Sequence, residues 1–442
     1  MPDSTDESFP ASKLERGKIF AKTGLKVGAN YARYLADRVT KGKDNGERKR
    51  ALNTQNAEDL YREFTKLRGT ALKLAQSMSM NTGVLPEEFM DVMAEAQYRV
   101  PPMNRALVQK RIRDGLGQYP AHLFDNFEAD AMAAASIGQV HRAALDDGTP
   151  VAVKVQYPNV RETIASDLSM ARTLFGRMIN SPHLDDYFAE VRDRLNEETD
   201  YLNEAENIAF FAEQYASDKV VTPEPVRDLT SETVLTMTFV EGQHLDTFLG
   251  TNPDADARDH FGQLLWDFIH EQVAAQHRTI HADAHPGNFL FRDDGRLGVI
   301  DFGCVKTFPV DFRDDMLRLW RARIHDDEAA IEPLLYQLDI LREDMRDSTR
   351  QTLRGFFDRF GSLIVRPYRS DTFTFGDDDF YDELKACFRA GSQLPEAAGS
   401  HHFVFLNKVL VGIFNLMHEL QPTIDTRRSR ALLGDTVDDL AL

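Results

Sequence analysis

The sequence predicts an α+β chain, in which a small β-containing lobe is followed by a larger helical lobe and preceded by a helical extension. Three observations predict it. Runs of β-type residues concentrate at residues 131–156 and 233–239. Nearly everything after about residue 255 is helix-rich, apart from short apolar runs at Phe289–Phe291 and Leu297–Ile300. A separate helical pattern, from Asn56 onward, comes before both. Spacing of apolar residues near 3.6 in one region and near 2 in another is the primary signal for such a division.

Residues 1–55 read as a tail to about residue 12, disordered by composition, followed by a basic linker or helix from Lys13 to Arg50. The bland reading is a solvated helix. The sharper one is attraction to anionic lipid headgroups, because this is the one basic zone of an acidic chain. Residues 56–125 read as an all-helical extension. Leu60, Phe64, Leu67, Leu72 and Leu74, then Phe89, Val92 and Met93, keep helical spacing, and Pro86 suits a helix's first turn. Val100-Pro101-Pro102 is a hard break, after which a helix is expected over Arg105–Leu116.

Residues 126–240 form the β-containing lobe. Ala131–Leu145 and Pro150–Gln156 are two strand-like stretches separated by the turn signal Asp146-Asp147-Gly148. Long helical patterns cover about 160–215, and Thr233–Phe239 reads as a strand. Residues 241–442 form the helical lobe.

With 442 residues, 42% of them hydrophobic, the chain can bury a sizeable core. A formal net charge of −19 repels phosphate backbones and argues against a nucleic-acid partner. Cys304 and Cys387 form no close pair, which excludes a disulfide scaffold or a cysteine zinc site. The acidic start is the opposite of a secretory leader. Phe403–Met417, interrupted by Asn407 and Lys408, is too short to span a bilayer and reads as a buried helix. The expectation is a cytoplasmic protein with at most peripheral contact at the inner face of a membrane.

The chemistry is carried by His281-Ala282-Asp283-Ala284-His285-Pro286-Gly287-Asn288, followed by Asp301-Phe302-Gly303. Kinases use an H-x-D-x-x-x-x-N loop and then D-F-G. The strand–turn–strand between Asn288 and Asp301 would bring these two side chains together at its open end, as ligands for Mg²⁺. Asp283 would then orient or deprotonate the attacking hydroxyl. Val151-Ala152-Val153-Lys154 is close to the V-A-I-K strand, whose lysine contacts nucleotide phosphates.

Ala133-Ala134-Ala135-Ser136-Ile137-Gly138-Gln139-Val140 occupies the place of a glycine-rich loop. Ala133 and Ala135 stand where two glycines would be, and only Gly138 remains. A Cβ at those positions restricts the approach of backbone amides to phosphate. Met237, on the Thr233–Phe239 strand, joins Ala133, Ala134, Ala135, Ser136, Gly138, Val140 and Lys154 as a nucleotide-facing candidate.

The chain resembles the UbiB/ADCK (AarF-like) family of atypical kinase-like proteins. The carrying residues are the Ala133–Val140 loop, Val151–Lys154, Glu198-Thr199-Asp200 with Glu204, His281–Asn288 and Asp301–Gly303. To these is added Lys73-Leu74-Ala75-Gln76, similar to the family's K-x-G-Q signature with alanine in place of glycine. The resemblance implies a bilobal protein-kinase-like fold, with ATP or ADP and Mg²⁺ as cofactors. It also implies a Lys73–Gln76 helix over the site, Lys73 meeting Glu198 or Asp200, and Glu204 pairing with Lys154. Lys73 and Gln76 share a helix face, as Asp200 and Glu204 would, whereas Glu198 and Asp200 cannot share one in a regular helix.

After Gly303 there is no A-P-E and no long polar segment for docking peptides, and helix resumes near Asp311. This points away from protein phosphorylation. The family's association with ubiquinone-type lipids implies a lipid or isoprenoid small molecule as partner, or an ATPase role. Two alternatives remain open: a small-molecule phosphotransferase of the aminoglycoside or choline kinase kind, and a nucleotide-binding pseudokinase scaffold.

Overall fold

The computed structural model describes residues 13–41, 46–67, 102–135, 137–176, 198–391, 399–400 and 402–438, with isolated positions at 92, 188–189, 191–192, 195–196 and 394. The described residues divide into two compact units. One holds those up to Ala205 together with Pro225–Phe239; the other holds Glu206–Glu224 and those from Val240 onward.

The first unit begins with helices α1 (Lys13–Lys41) and α2 (Glu47–Leu67). The basic stretch is therefore not a solvated helix. Phe20 and Val27 of α1, with Leu52, Ala57 and Leu60 of α2, are buried where the two helices pack. Lys26 reaches Asp59 at 2.8 Å, and Asn30 donates to Asn56 at 2.9 Å. Arg16, facing helix α4 (Val160–Phe175), gives both carboxylate oxygens of Asp167 a hydrogen bond, Nε at 2.9 Å. The helical extension expected from Asn56 thus starts earlier, at Glu47, and the expected helical pattern between Arg68 and Pro101 lies outside the described residues apart from Val92.

Helix α3 (Arg105–Leu116) forms where the sequence predicts it. Asn104 caps it by accepting the Leu107 N–H at 2.9 Å, and Gly117 ends it at φ 80°. Its buried Val108 and Ile112, one turn apart, face the sheet. That sheet is antiparallel and runs β2 (Gly138–Ala144), β3 (Pro150–Gln156), β4 (Val234–Thr238), with β1 (Ala133–Ala135) and the short Asn126–Phe127 strand on the outer edge of β2. The turn from β2 to β3 is made by Gly148 at φ 83°, with Asp147 accepting the Thr149 N–H at 2.9 Å. From Val151 onward every residue of β3 is buried, as expected of a central strand.

Helix α5 (Tyr201–Tyr215) begins in the first unit and continues into the second. Its start breaks the long helical pattern expected over 160–215, because Thr199 and Asp200 leave the helix.

The second unit is built on α6 (Ala255–Ala274), capped by Asp254, which accepts the Ala257 N–H at 2.9 Å. Against it lie β5 (Thr279–His281), the hairpin of β6 (Phe289–Phe291) and β7 (Leu297–Val299), and the helices α8 (Phe403–Leu420) and α9 (Arg427–Asp438), while α7 (Val310–Ile324), which follows β8 (Val305–Thr307), packs on α9. Strand β5 pairs with β8, Val220–Val221 runs parallel to β7, and Thr372–Thr374 pairs with Thr423–Asp425. Of the strands of this unit, the sequence predicted only the β6–β7 hairpin. The others are two or three residues long, too short to show an alternating period.

Candidate functional site

In the first unit, β3 carries Lys154 between Val140 of β2 and Leu235 of β4. Its ammonium donates to both oxygens of Glu204 on α5, at 2.8 and 2.9 Å. The two side chains are only 9% and 3% exposed. Taking both charges out of water costs several kcal/mol per ion before the attraction offsets it. The same ammonium lies 5.3 Å from the centre of the Tyr201 ring.

Asp200 caps α5: its Oδ1 accepts the N–H groups of Leu202 and Asn203 at 3.1 and 3.3 Å. This corrects the expectation that Asp200 and Glu204 share a helix face, since Asp200 lies outside the helix and its carboxylate is turned to the helix start. The break at Thr199–Asp200 also separates Glu198, half-buried in the preceding helical stretch, from Glu204. Lys73, Gln76 and Ser136 lie outside the described residues.

Ala133, Ala134 and Ala135 are strand residues, in register with Val140, Gln139 and Gly138. Gly138 has a packing reason to be glycine: a Cβ there would come 2.4 Å from the Val155 carbonyl oxygen and 2.9 Å from the Tyr201 hydroxyl. Its place in a phosphate loop is not needed to explain it. Met237 is buried on β4, in register with Ala152 of β3.

In the second unit, His281 is fully buried at the end of β5. Its main-chain N–H donates to Gln272 Oε1 at 2.7 Å, and its Nε2 lies 2.6 Å from the carbonyl oxygen of Asp301. A carbonyl only accepts, so Nε2 carries the proton, and burial lowers the ring's pKa and keeps it neutral. This histidine therefore ties the H-x-D loop to the D-F-G segment. The Ala282 N–H donates to the Cys304 carbonyl at 2.8 Å, and Asn207 Nδ2 donates to the Phe302 carbonyl at 3.0 Å.

Asn288 and Asp301 flank the open end of the β6–β7 hairpin, where the Ile300 N–H donates to the Asn288 carbonyl at 3.1 Å. Asn288 Nδ2 donates to the Asp283 carbonyl at 3.0 Å, which leaves the amide oxygen as the atom suited to a cation. Asp301 Oδ1 accepts the Gly303 N–H at 3.0 Å, which fixes its carboxylate. One amide oxygen and one carboxylate are hard donors of the kind Mg²⁺ takes when phosphates and water complete its shell. Among the described residues no group of three or more His, Cys, Asp or Glu converges on a metal, and such a shared site needs none.

The Asp283 carboxylate lies 2.9 Å from Lys408 Nζ of α8. Sequence reasoning noted Lys408 only as an interruption of an apolar helix; a cation inside such a helix was the available signal. Asn207 and Gln272, which hold the loop through backbone groups, had none.

A family model for the ABC1 atypical kinase-like domain matches residues 95–335, more than half of the chain and the stretch from Lys154 to Asp301. The chain belongs to this family. Curated relatives of this ABC1, or UbiB, chain include the probable serine/threonine-protein kinase abkA of Dictyostelium discoideum, 26% identical over 85% of this chain and 70% of the relative. Another is the mitochondrial atypical kinase COQ8 of Saccharomyces cerevisiae, 27% identical over 86% of this chain and 76% of the relative. Among solved structures, Rv3197 of Mycobacterium tuberculosis, in complex with erythromycin, matches with a TM-score of 0.62 at 24% identity. That match covers 88% of this chain and 98% of the other. The fold of this ABC1 chain is therefore protein-kinase-like, with N-terminal helices before the kinase-like domain. No helix among the described residues is long and apolar enough to cross a membrane.

Proposed function

We propose that this ABC1-family chain is an atypical kinase or ATPase that binds a Mg²⁺–adenine nucleotide, ATP or ADP, and serves isoprenoid-quinone lipid metabolism rather than protein phosphorylation. The observation that carries the proposal is the second unit's arrangement of Asp283, Asn288 and Asp301 on one braced loop and hairpin. In it, Asn288 and Asp301 would hold the metal. In the first unit, Lys154, held by Glu204, is assigned to nucleotide phosphates by its likeness to the V-A-I-K lysine. Bound Mg²⁺ would neutralise charge on the phosphate oxygens. Asp283 takes the proton of an attacking hydroxyl or water as that oxygen bonds to the terminal phosphorus. The bond from phosphorus to the bridging oxygen breaks, and the nucleoside diphosphate leaves with its electrons.

Glu198 and the Lys73–Gln76 segment are assigned by family resemblance to restricting access to this site. The lipid part of the reading rests on the UbiB resemblance and is supported by kinship to a relative named atypical kinase COQ8. Helix α1 presents Lys18 and Lys22 to solvent, which suits peripheral contact with an anionic surface at the inner face of a membrane.

The test is a thermal shift with ATP or ADP, with and without Mg²⁺. Wild type should be stabilised in a metal-dependent way, and Asp301→Asn should lose most of that shift. An Asn variant that responds like wild type would remove Asp301 from the metal site.

A further inference from the structure

Helix α8 is apolar over most of its length, and a lysine within it needs a partner. Lys408 is 16% exposed, and its ammonium sits 2.9 Å from Asp283 Oδ1. It also lies 3.9 Å from Cys304 Sγ. Two other residues on this side of α8 meet the same segment of chain. The Lys306 ammonium lies 4.8 Å from the centre of the Phe405 ring. One turn beyond Lys408, a Cβ on Gly412 would fall 2.3 Å from the Ala284 carbonyl oxygen. The helix is thus seated against residues 282–306 at a separation only glycine permits, and that seating brings the Lys408 ammonium to the carboxylate.

We propose that Lys408 is a positioning residue for Asp283, holding its carboxylate in the orientation that faces the acceptor hydroxyl. Within the H-x-D loop, His285 is turned to its own backbone, with Nδ1 accepting the Gly287 N–H at 3.0 Å. His281 Nε2 is bonded to the Asp301 carbonyl at 2.6 Å. Lys408 brings a cation to Asp283 from α8, beyond the residues matched by the family model. This inference rests on the role proposed above for Asp283.

The test measures Mg²⁺–ATP affinity and steady-state hydrolysis for wild type, Lys408→Met, Lys408→Arg, Asp283→Asn and the Lys408→Met/Asp283→Asn pair. Lys408→Met should keep nucleotide affinity and KM within about twofold, with kcat falling roughly tenfold or more, a fraction of what a general base contributes. Arginine should restore most of the rate, because it supplies the same charge at similar reach. Adding Lys408→Met to Asp283→Asn should cost almost nothing further, since the lysine acts through that carboxylate.

An unchanged kcat in Lys408→Met, or losses that multiply in the pair, would overturn the inference while leaving nucleotide binding intact. Loss of affinity in step with kcat would overturn it too, by marking a general loosening. A wild-type protein with no response to Mg²⁺–ATP or Mg²⁺–ADP would instead defeat the functional reading, and this inference with it. Should Lys408→Met fail to fold, Lys408→Gln carries the same comparisons.

Discussion

Ala135 and Gly138 face each other across the first turn of the sheet, and the structure assigns them different reasons for being what they are. Gly138 is small because Val155 and Tyr201 leave no room for a Cβ. Ala135 is a strand residue whose methyl group stiffens the edge opposite. Under the nucleotide-binding reading, Ala135→Gly should loosen that edge and let backbone amides approach a terminal phosphate. The gain is on the order of 1–2 kcal/mol, the scale of one or two charge-assisted hydrogen bonds. The ratio of ATP to ADP affinity should move by about 5- to 30-fold, measured by titrating both nucleotides against wild type and variant. An unchanged ratio would make the alanines packing residues. The substitution should also cost about 0.5–1 kcal/mol of stability through backbone entropy, a separate readout from the ratio.

At the scale of elements, helices α1 and α4 are joined by a pair that neither helix could satisfy alone. The side chains of Arg16 and Asp167 are 2% and 0% exposed. Removing one partner strands the other as a buried charge, so Asp167→Ala should cost about 3–5 kcal/mol in denaturant unfolding. Replacing both, as Arg16→Met with Asp167→Leu, should cost far less, because nothing charged is left behind. Equal losses in the single and double variants would mean that the contact contributes packing rather than charge compensation. The basic residues of α1 thus divide by partner: Arg16 is buried on Asp167 and Lys26 reaches Asp59, whereas Lys18 and Lys22 are exposed. The sequence shows the charge of this helix and not that division.

For the molecule as a whole, the buried histidines set the acid limit of stability. His270 is fully buried, and burial lowers its pKa to about 4. Its Nδ1 faces the Trp266 carbonyl at 2.6 Å, so Nδ1 carries the proton and Nε2 accepts from the Tyr368 hydroxyl at 2.5 Å. Protonating Nε2 would break that acceptance inside the core. Because the unfolded chain binds this proton near pH 6.5, the stabilisation is complete above that value and is lost as pH falls toward 4. The loss from this group reaches about 3 kcal/mol. His281 and His141 are shifted in the same direction, also by burial first, so the stability curve should fall steeply across this range. His270→Gln can still donate to Trp266 and accept from Tyr368 but does not titrate, and it should flatten part of the slope in urea unfolding at stepped pH. A slope unchanged by the substitution would assign the acid sensitivity elsewhere.

Sequence by itself determined the elements whose signals are local. The helix that follows the Val100-Pro101-Pro102 break, the turn at Gly148, the apolar strand carrying Lys154 and the strand–turn–strand after Asn288 all lie within a few residues of their causes. Backbone sterics and side-chain periods act over that range. The order of the Asp283, Asn288 and Asp301 motif was legible for the same reason, since one loop and one hairpin hold it. Only the tertiary structure decided that Gly138 yields to a carbonyl, that Arg16 reaches Asp167, and that Lys408 meets Asp283. These join residues distant along the chain, or depend on what packs above a strand. The entropy of closing the connecting loop grows only as the logarithm of its length, so many distant partners are nearly equivalent in the sequence. Packing at close to crystal density then selects among them, and that selection leaves no periodic mark.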